Sequence, residues 1–361
     1  MIKYIFLAVF SLSLIQIYAQ KSYMQSCKHK MLVMSYNVEN LFDTLDNPHK
    51  VDNEFLPNGK KQWNTSRYNE KLSHLSQVVS SVDDKKLPDL LALVEVENRL
   101  VLEDLVKEKA LKKGHYNIIH HQSPDFRGID VALLYNSKQF IVLSQQFYKV
   151  RIADEPRFVT REILYAKLIF KKTKDTLHIF VNHWPSRRGG QAKSEHKRFA
   201  AARVLRHVTD SVFAADAKPK MIIMGDFNDE PLDKSLVDVL EAKPVDQAKE
   251  GYLFNLSLEG HTQGKGTYFY WKTKQWNMLD QLIVSGELIK ANKGLQTLTI
   301  ETQILRKDFF LYTNKEGVKT PSKSYGGKRY YGGYSDHLPI YFYFYYKVQK
   351  CKGVVGVTPV F

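Results

Sequence analysis

The stretch Met221–Pro231, MIIMGDFNDEP, is a short apolar run bounded by Gly225 that stops at residues burial excludes. It reads as a buried strand with Asp226 and Asn228 at its C-terminal edge, on the rim of a cleft. Two positions apart in extended chain, they turn toward one face. A carboxylate and an amide held together suit a cation, a water and a phosphoryl oxygen. The same residues also spell an ordinary strand-to-loop turn, since Gly, Asp and Asn all favour turns, so the rest of the chain has to decide.

Two earlier stretches repeat the pattern. In Met31–Asn40, MLVMSYNVEN, a strand runs out into Asn37 and Glu39, again two apart and expected on one face. In Pro88–Asn98 an uninterrupted apolar strand meets Glu95, whose burial would strand a charge unless a cation pairs with it. Glu97 is expected to face water at the rim. Between these strands, Phe42–Ser66 reads as a loop whose Asp46, Asp52 and Glu54 form a solvated face. Leu72, Leu75, Val79 and Val82 then recur at helical spacing. Leu100–Lys113 reads as a charged amphipathic helix, and helices between apolar strands imply an α/β layered architecture.

Farther on, Arg127 and Asp130 precede the strand Val131–Tyr135 and are expected to pair, with Arg127 also a candidate substrate contact. Strands Lys167–Phe170 and Leu177–Val181 lead to Asn182-His183-Trp184-Pro185-Ser186-Arg187-Arg188-Gly189-Gly190. A histidine at a strand end followed by two arginines combines a proton donor with phosphate-binding forks. Lys193–Ala215 reads as a basic helix. Gly266–Trp271 and Met278–Ser285 look like a strand pair, and Asp280 inside the second needs a partner. Tyr325–Tyr334, YGGKRYYGGY, interleaves aromatics with cations in what reads as a mobile loop, so Tyr330 is a candidate for stacking a base. Ser335-Asp336-His337-Leu338-Pro339 opens a last aromatic strand. Tyr268–Trp271 is a weak candidate for a membrane-contacting hairpin, and core packing is the safer reading.

Length and 43% apolar content provide for one large core, and neither an internal repeat nor a linker divides it. Residues 1–20 hold Lys3, the apolar run Tyr4–Ile17 and a small residue at Ala19, as in a secretory signal peptide cut near Ala19 or Gln20. The run is too short for a membrane span and polar chain follows. The expected organisation is thus a signal peptide at 1–20, one domain over 28–350 and a tail at 351–361, in a periplasmic or released monomer. Cys27 and Cys351 either bridge the two ends in an oxidising compartment or remain thiols. Neither has a second ligand at metal spacing. The formal charge of +15, of which removing 1–20 deletes only Lys3, attracts polyanions such as nucleic acid or anionic lipid without choosing among them.

Together, Asn37/Glu39, Glu95, His183, Asp226/Asn228, Asp280 and Asp336/His337 describe one site rather than six coincidences. In order and wording, Ser35–Leu41 (SYNVENL), Gly225–Asn228 (GDFN) and Ser335–Pro339 (SDHLP) resemble the endonuclease/exonuclease/phosphatase superfamily. That superfamily includes pancreatic deoxyribonuclease, abasic-site endonucleases, sphingomyelinases and inositol-polyphosphate phosphatases. The resemblance implies a four-layered α/β sandwich, two packed mixed sheets flanked by helices, with the site at one end. It implies Glu95 as the principal ligand of Mg²⁺ or Mn²⁺, with Asn37, Glu39 and Asp336 near the cation. Asp226 and Asn228 would orient or deprotonate water, His337 supported by Asp280 would stand beside the scissile phosphate, and His183 near the leaving group. Arg187, Arg188, Arg127 and Tyr330 would contact substrate, expected to be nucleic acid, with inositol phosphates or phospholipid head groups as the alternative.

Overall fold

The computed structural model describes residues 28–347. The segment 1–20 expected to be a signal peptide, both cysteines and the tail lie outside them. Two large sheets stack face to face. The first has the order β14-β19-β1-β2-β4-β3, built from Gln303–Ile304 (β14), Ile340–Lys347 (β19), Lys28–Leu41 (β1), Leu90–Val96 (β2), Asp130–Asn136 (β4) and Tyr116–His120 (β3). The second has the order β5-β6-β7-β8-β13-β10-β9, from Phe140–Tyr148 (β5), Ile163–Phe170 (β6), Asp175–His183 (β7), Lys220–Asp226 (β8), Asp280–Ser285 (β13), Leu253–Asn255 (β10) and Ala242–Lys243 (β9).

Central strands are apolar on both faces because both are covered. In β1, Met31 and Val33 point between the sheets, while Leu32, Met34, Tyr36 and Val38 meet helices α1 (Thr65–Ser80) and α2 (Arg99–Lys107). In β8, Ile222 and Met224 point between the sheets, while Met221 and Ile223 meet helix α3 (Gln191–Ala215). The layers therefore run helix, sheet, sheet, helix, as the resemblance implies.

Gly225 occupies β8 at φ +135°, and a Cβ there would stand 2.0 Å from the carbonyl oxygen of Asn182. The glycine is thus required by the approach of β7, not merely by a strand ending. Gly225→Ala is expected to lower unfolding stability by at least about 2 kcal/mol. An unchanged urea midpoint would contradict this.

Several local expectations are corrected. Gly266–Trp271 and Met278–Ser285 do not pair with each other: Tyr268–Tyr270 (β11) pairs with Gln275–Asn277 (β12), and β13 joins β8 and β10 instead. Helix α2 ends at Lys107, and Lys112–Gly114 forms a separate 3₁₀ turn. Asp52 is buried rather than solvated, and its carboxylate accepts from the Asn47 N–H at 3.0 Å. Leu311–Thr313 (β15) with Lys319–Pro321 (β16), and Tyr325–Gly326 (β17) with Arg329–Tyr330 (β18), are ordered hairpins, so the glycine-tyrosine segment is not a mobile loop. Among the described residues, no helix is long and apolar enough to cross a membrane.

Candidate active site

The site is the end of the inter-sheet core at which apolar residues give way to polar ones on the same alternating face. On β7 the inward positions Leu177, Ile179 and Val181 continue to His183, and on β8 Ile222 and Met224 continue to Asp226. Inward Leu282 and Val284 of β13 are preceded by Asp280. Strand register aligns these ends: His183 is opposite Asp226, and Asp226 opposite Asp280. From the facing sheet, Asn37 extends the inward row of Met31 and Val33.

Asp226 Oδ2 is the hub. It accepts from Asn37 Nδ2 at 3.1 Å and lies 3.7 Å from His183 Nε2 and 3.9 Å from His337 Nε2. Its other oxygen accepts from the Asn228 N–H at 2.8 Å. Asp280 holds His337 by its Nδ1 at 2.7 Å, and the Tyr268 ring packs on His337 with centroids 5.0 Å apart. The two histidines are opposite in electrostatics. Burial would depress the His337 imidazolium, but Asp280, Asp226 and Asp336 outweigh it and raise its pKa well above the ordinary value. Burial, Arg161, Arg127 and His337 all depress that of His183. His183 is therefore neutral, and its Nδ1 has no partner among the described residues. Burial, against the attraction of His337 and with Asp280 repelling, raises Asp226 to about 7.

Glu95 leaves the alternation. Register slips on both sides of β2 around it, and its φ is +66°. Without that bulge its parity would send it toward the helices; with it, the side chain lines the cleft and lies 3.9 Å from His183 Nε2. Its Oε2 accepts from the Asn40 N–H at 3.0 Å. Asp336 lines the same cleft, its proton affinity raised by burial and by Glu95 against the attraction of His337, Lys71 and Lys323. Among the described residues no three acidic, histidine or cysteine side chains form a ready metal cluster. A hard cation of the magnesium type takes only one or two carboxylates, water filling its other positions, so the pair Glu95 and Asp336 fits such an ion.

Other candidates stand differently from their expectations. Glu39 does not share a face with Asn37, because its φ is +50°: Oε2 accepts from the Ser324 N–H at 2.6 Å and lies 3.9 Å from Lys71 Nζ. Burial and Asp336 raise Glu39 to about 7. Asn228, at φ +52°, donates to the Trp184 carbonyl at 3.0 Å. Arg127 does not pair with Asp130 but donates to Asn40 Oδ1 at 2.7 Å, and Asp130 accepts from the Ser123 N–H. Glu97 is buried rather than at the rim; burial raises it to about 8 while the Asp43 N–H donates to it. Arg187 lines the cleft but is bound to the Asn228 carbonyl and to Asp233, whereas Arg188 is exposed. Tyr330 is not brought to the cleft; its hydroxyl donates to Glu70 and its ring lies under Arg67. Tyr270, which lines the cleft, and Trp271 are both exposed, so core packing holds only for Phe269.

Sequence reasoning passed over three functional neighbours. Tyr268 packs at a tilt against His337, and Arg161 lines the cleft from the lead into β6. Lys71 is buried on α1, where Nζ donates to Ser324 Oγ and the Tyr334 carbonyl beside Glu39. Lys71 had a signal: it interrupts the apolar stripe of Tyr68, Leu72, Leu75 and Val79. The cleft encloses about 840 Å³, with Arg127, Arg161, Arg187, Arg188 and Lys272 around the carboxylates.

The profile of the Endonuclease/Exonuclease/phosphatase family matches residues 32–346. No curated protein matches the chain. Solved structures do. A family protein from Bacteroides thetaiotaomicron has a TM-score of 0.54 at 14% identity, covering 89% of this chain and 96% of its own. D. rerio TDP2 complexed with single-strand DNA product has 0.52 at 15%, covering 87% and 98%. A Bacteroides thetaiotaomicron mannosyl-6-phosphatase has 0.53 at 14%, covering 86% and 98%. At such identities these likenesses speak for the fold.

Proposed function

The chain belongs to the endonuclease/exonuclease/phosphatase family, whose members are phosphoester hydrolases, and from that premise we propose a secreted, Mg²⁺- or Mn²⁺-dependent phosphodiesterase acting on nucleic acid. The observation that carries the reading is the sharing of one carboxylate oxygen, Asp226 Oδ2, by Asn37, a cationic histidine and a neutral one at the foot of a basic cleft. TDP2, a structural neighbour, is seen with a single-strand DNA product, and the formal charge of +15 favours a polyanionic substrate.

Each residue then has a task. Asp226, with an affinity for protons near neutrality, takes the proton of the attacking water, and the Asn228 backbone N–H keeps that carboxylate in place. His337, held cationic by Asp280, stabilises charge on the non-bridging oxygens. His183, neutral, presents Nε2–H toward the leaving oxygen. Glu95 and Asp336 would hold the divalent cation, which supplies Lewis-acid neutralisation of the phosphate when bound. The N-terminal segment supports export.

A second reading, hydrolysis of a phospholipid head group, is favoured by the exposed Tyr270 and Trp271 beside Lys272. Purified protein without residues 1–20 decides, assayed with Mg²⁺, Mn²⁺ or chelator against plasmid, RNA, inositol phosphates and sphingomyelin. Nicking of plasmid or cleavage of RNA, suppressed by chelator, is the expected result. Phosphate release from monoesters or sphingomyelin turnover, with nucleic acid intact, would replace the first reading.

A further inference from the structure

The cleft has a second cationic wall that the hydrolytic residues leave unused. Arg161 is more than nine-tenths buried, yet it lines the cleft. Its Nη2 donates to the Trp184 carbonyl at 2.6 Å and its Nη1 lies 3.3 Å from Asp125, while Nε is buried with no partner among the described residues. Half-buried Arg127 stands on the same wall with a neutral amide, Asn40, as its hydrogen-bonded partner. Two guanidinium groups against the single carboxylate of Asp125 leave an excess of positive charge facing the cleft.

The next residue along the chain leads out of it. Phe126, 55% exposed, lines a groove of about 640 Å³ with Arg157, Phe158, Val159 and Lys197. A further hollow of about 540 Å³ shares Phe158 and Val159 and adds Lys149 and Arg151. Glu155, in both, is engaged by His196 and Lys197. Lys149, Arg151 and Arg157 are exposed and make no ion pair among the described residues. Exposed aromatic and aliphatic side chains interleaved with unpaired cations fit a chain of alternating bases and phosphates better than a neutral peptide, which would leave the cations unused.

We propose that this wall and groove bind the nucleotide flanking the scissile bond, Arg127 and Arg161 taking its phosphate and Phe126 stacking its base, with Arg157 contacting the strand beyond. The substrate is then a polynucleotide held over several residues, an inference resting on the phosphodiesterase reading. Bidentate guanidinium contacts suit the phosphate, and stacking on Phe126 tolerates any base.

The test pairs binding with two substrates. Anisotropy of a fluorescein-labelled single strand of about 12 nucleotides, in chelator so that nothing is cleaved, is compared between wild type and the Phe126→Ala/Arg157→Ala double variant. Binding is expected to weaken about 10-fold, and the slope of log Kd against log salt to fall by about 0.7. With Mn²⁺, KM for the oligonucleotide should rise in parallel, whereas bis-p-nitrophenyl phosphate, which has no flanking nucleotide, is turned over as by wild type. Equal binding by both proteins, no binding by wild type, or an equal loss on both substrates overturns the subsite. If Phe126→Ala lowers the Tm, Arg157→Ala alone, an exposed change, carries the comparison. Turnover of the small diester without oligonucleotide binding removes the subsite and keeps the phosphodiesterase. Binding that depends on Phe126, without hydrolysis of any ester, removes the phosphodiesterase and keeps the subsite.

Discussion

Asp226→Asn is expected to slow phosphodiester hydrolysis on the order of 10³-fold while the fold is retained. The variant retains an oxygen for the Asn228 N–H, which now bonds the carboxylate at 2.8 Å. It cannot accept a proton, and it no longer offers an anion to His183 and His337, both within 4 Å of Oδ2. Stability moves the other way. Asp226 is almost fully buried and binds its proton up to about pH 7, so at higher pH the wild type confines a charge that the amide does not have. Near pH 6 the two proteins should melt within about 1 kcal/mol of each other, the lost Asn37 contact opposing the gain. Near pH 8.5 the variant should be the more stable. Single-turnover cleavage and thermal melts at both pH values measure this, and a rate within threefold of wild type would remove Asp226 from the chemistry.

In chelator the protein should lose stability as pH rises from about 6.5 to 9, and a divalent cation should restore it. Glu39 and Asp226 keep protons to about pH 7 and Glu97 to about 8, in each case first through burial; Asp336 is raised likewise. Unfolded, these carboxyls titrate near 4. Between those values the folded chain binds more protons than the unfolded one, so stability falls with rising pH. His337 acts in the same direction, because its raised affinity is lost as pH passes its folded pKa. His183 opposes, but only below its ordinary value, since it is neutral when folded. A cation on Glu95 and Asp336 would neutralise part of this charge, adding about 2.7 kcal/mol at a hundred times its dissociation constant. Melting curves with Mg²⁺ or chelator, for wild type and Glu95→Ala, are the measurement. The cation increment should be larger at pH 8.5 than at pH 6 and vanish in the variant. A Tm that climbs with pH in chelator, or an increment that survives in Glu95→Ala, would refute it.

The site was legible wherever period-two alternation persists. His183, Asp226 and Asp280 each sit where an inward apolar row continues by one more step, and their union across β7, β8 and β13 is a matter of register. Legibility failed where the backbone leaves the extended region. Glu39 and Glu95, at φ +50° and +66°, point away from where parity sends them, Glu39 to Lys71 and Glu95 into the cleft. Glu97, two residues on, is the more deeply buried of the two and Glu95 the one that lines the cleft, the reverse of what parity suggests, for the same reason. Strand β5 was not foreseen although it opens on the apolar run Phe140–Leu143: it is the edge strand of its sheet, largely exposed, and its apolar and polar residues fall in blocks rather than alternating.

By itself the sequence determined that apolar strands lie in sheets covered on both sides, and which residue types end those strands; that two such sheets pack against each other was what the family resemblance implied. Which ends meet was decided by the tertiary structure: strand order brings Asn37 and Asp226, 189 positions apart, to 3.1 Å. The same packing sets the charges, because neighbouring carboxylates raise one histidine's pKa against the pull of burial, while burial and two arginines depress the other's. Those quantities depend on distance and solvent access, which a linear pattern does not contain.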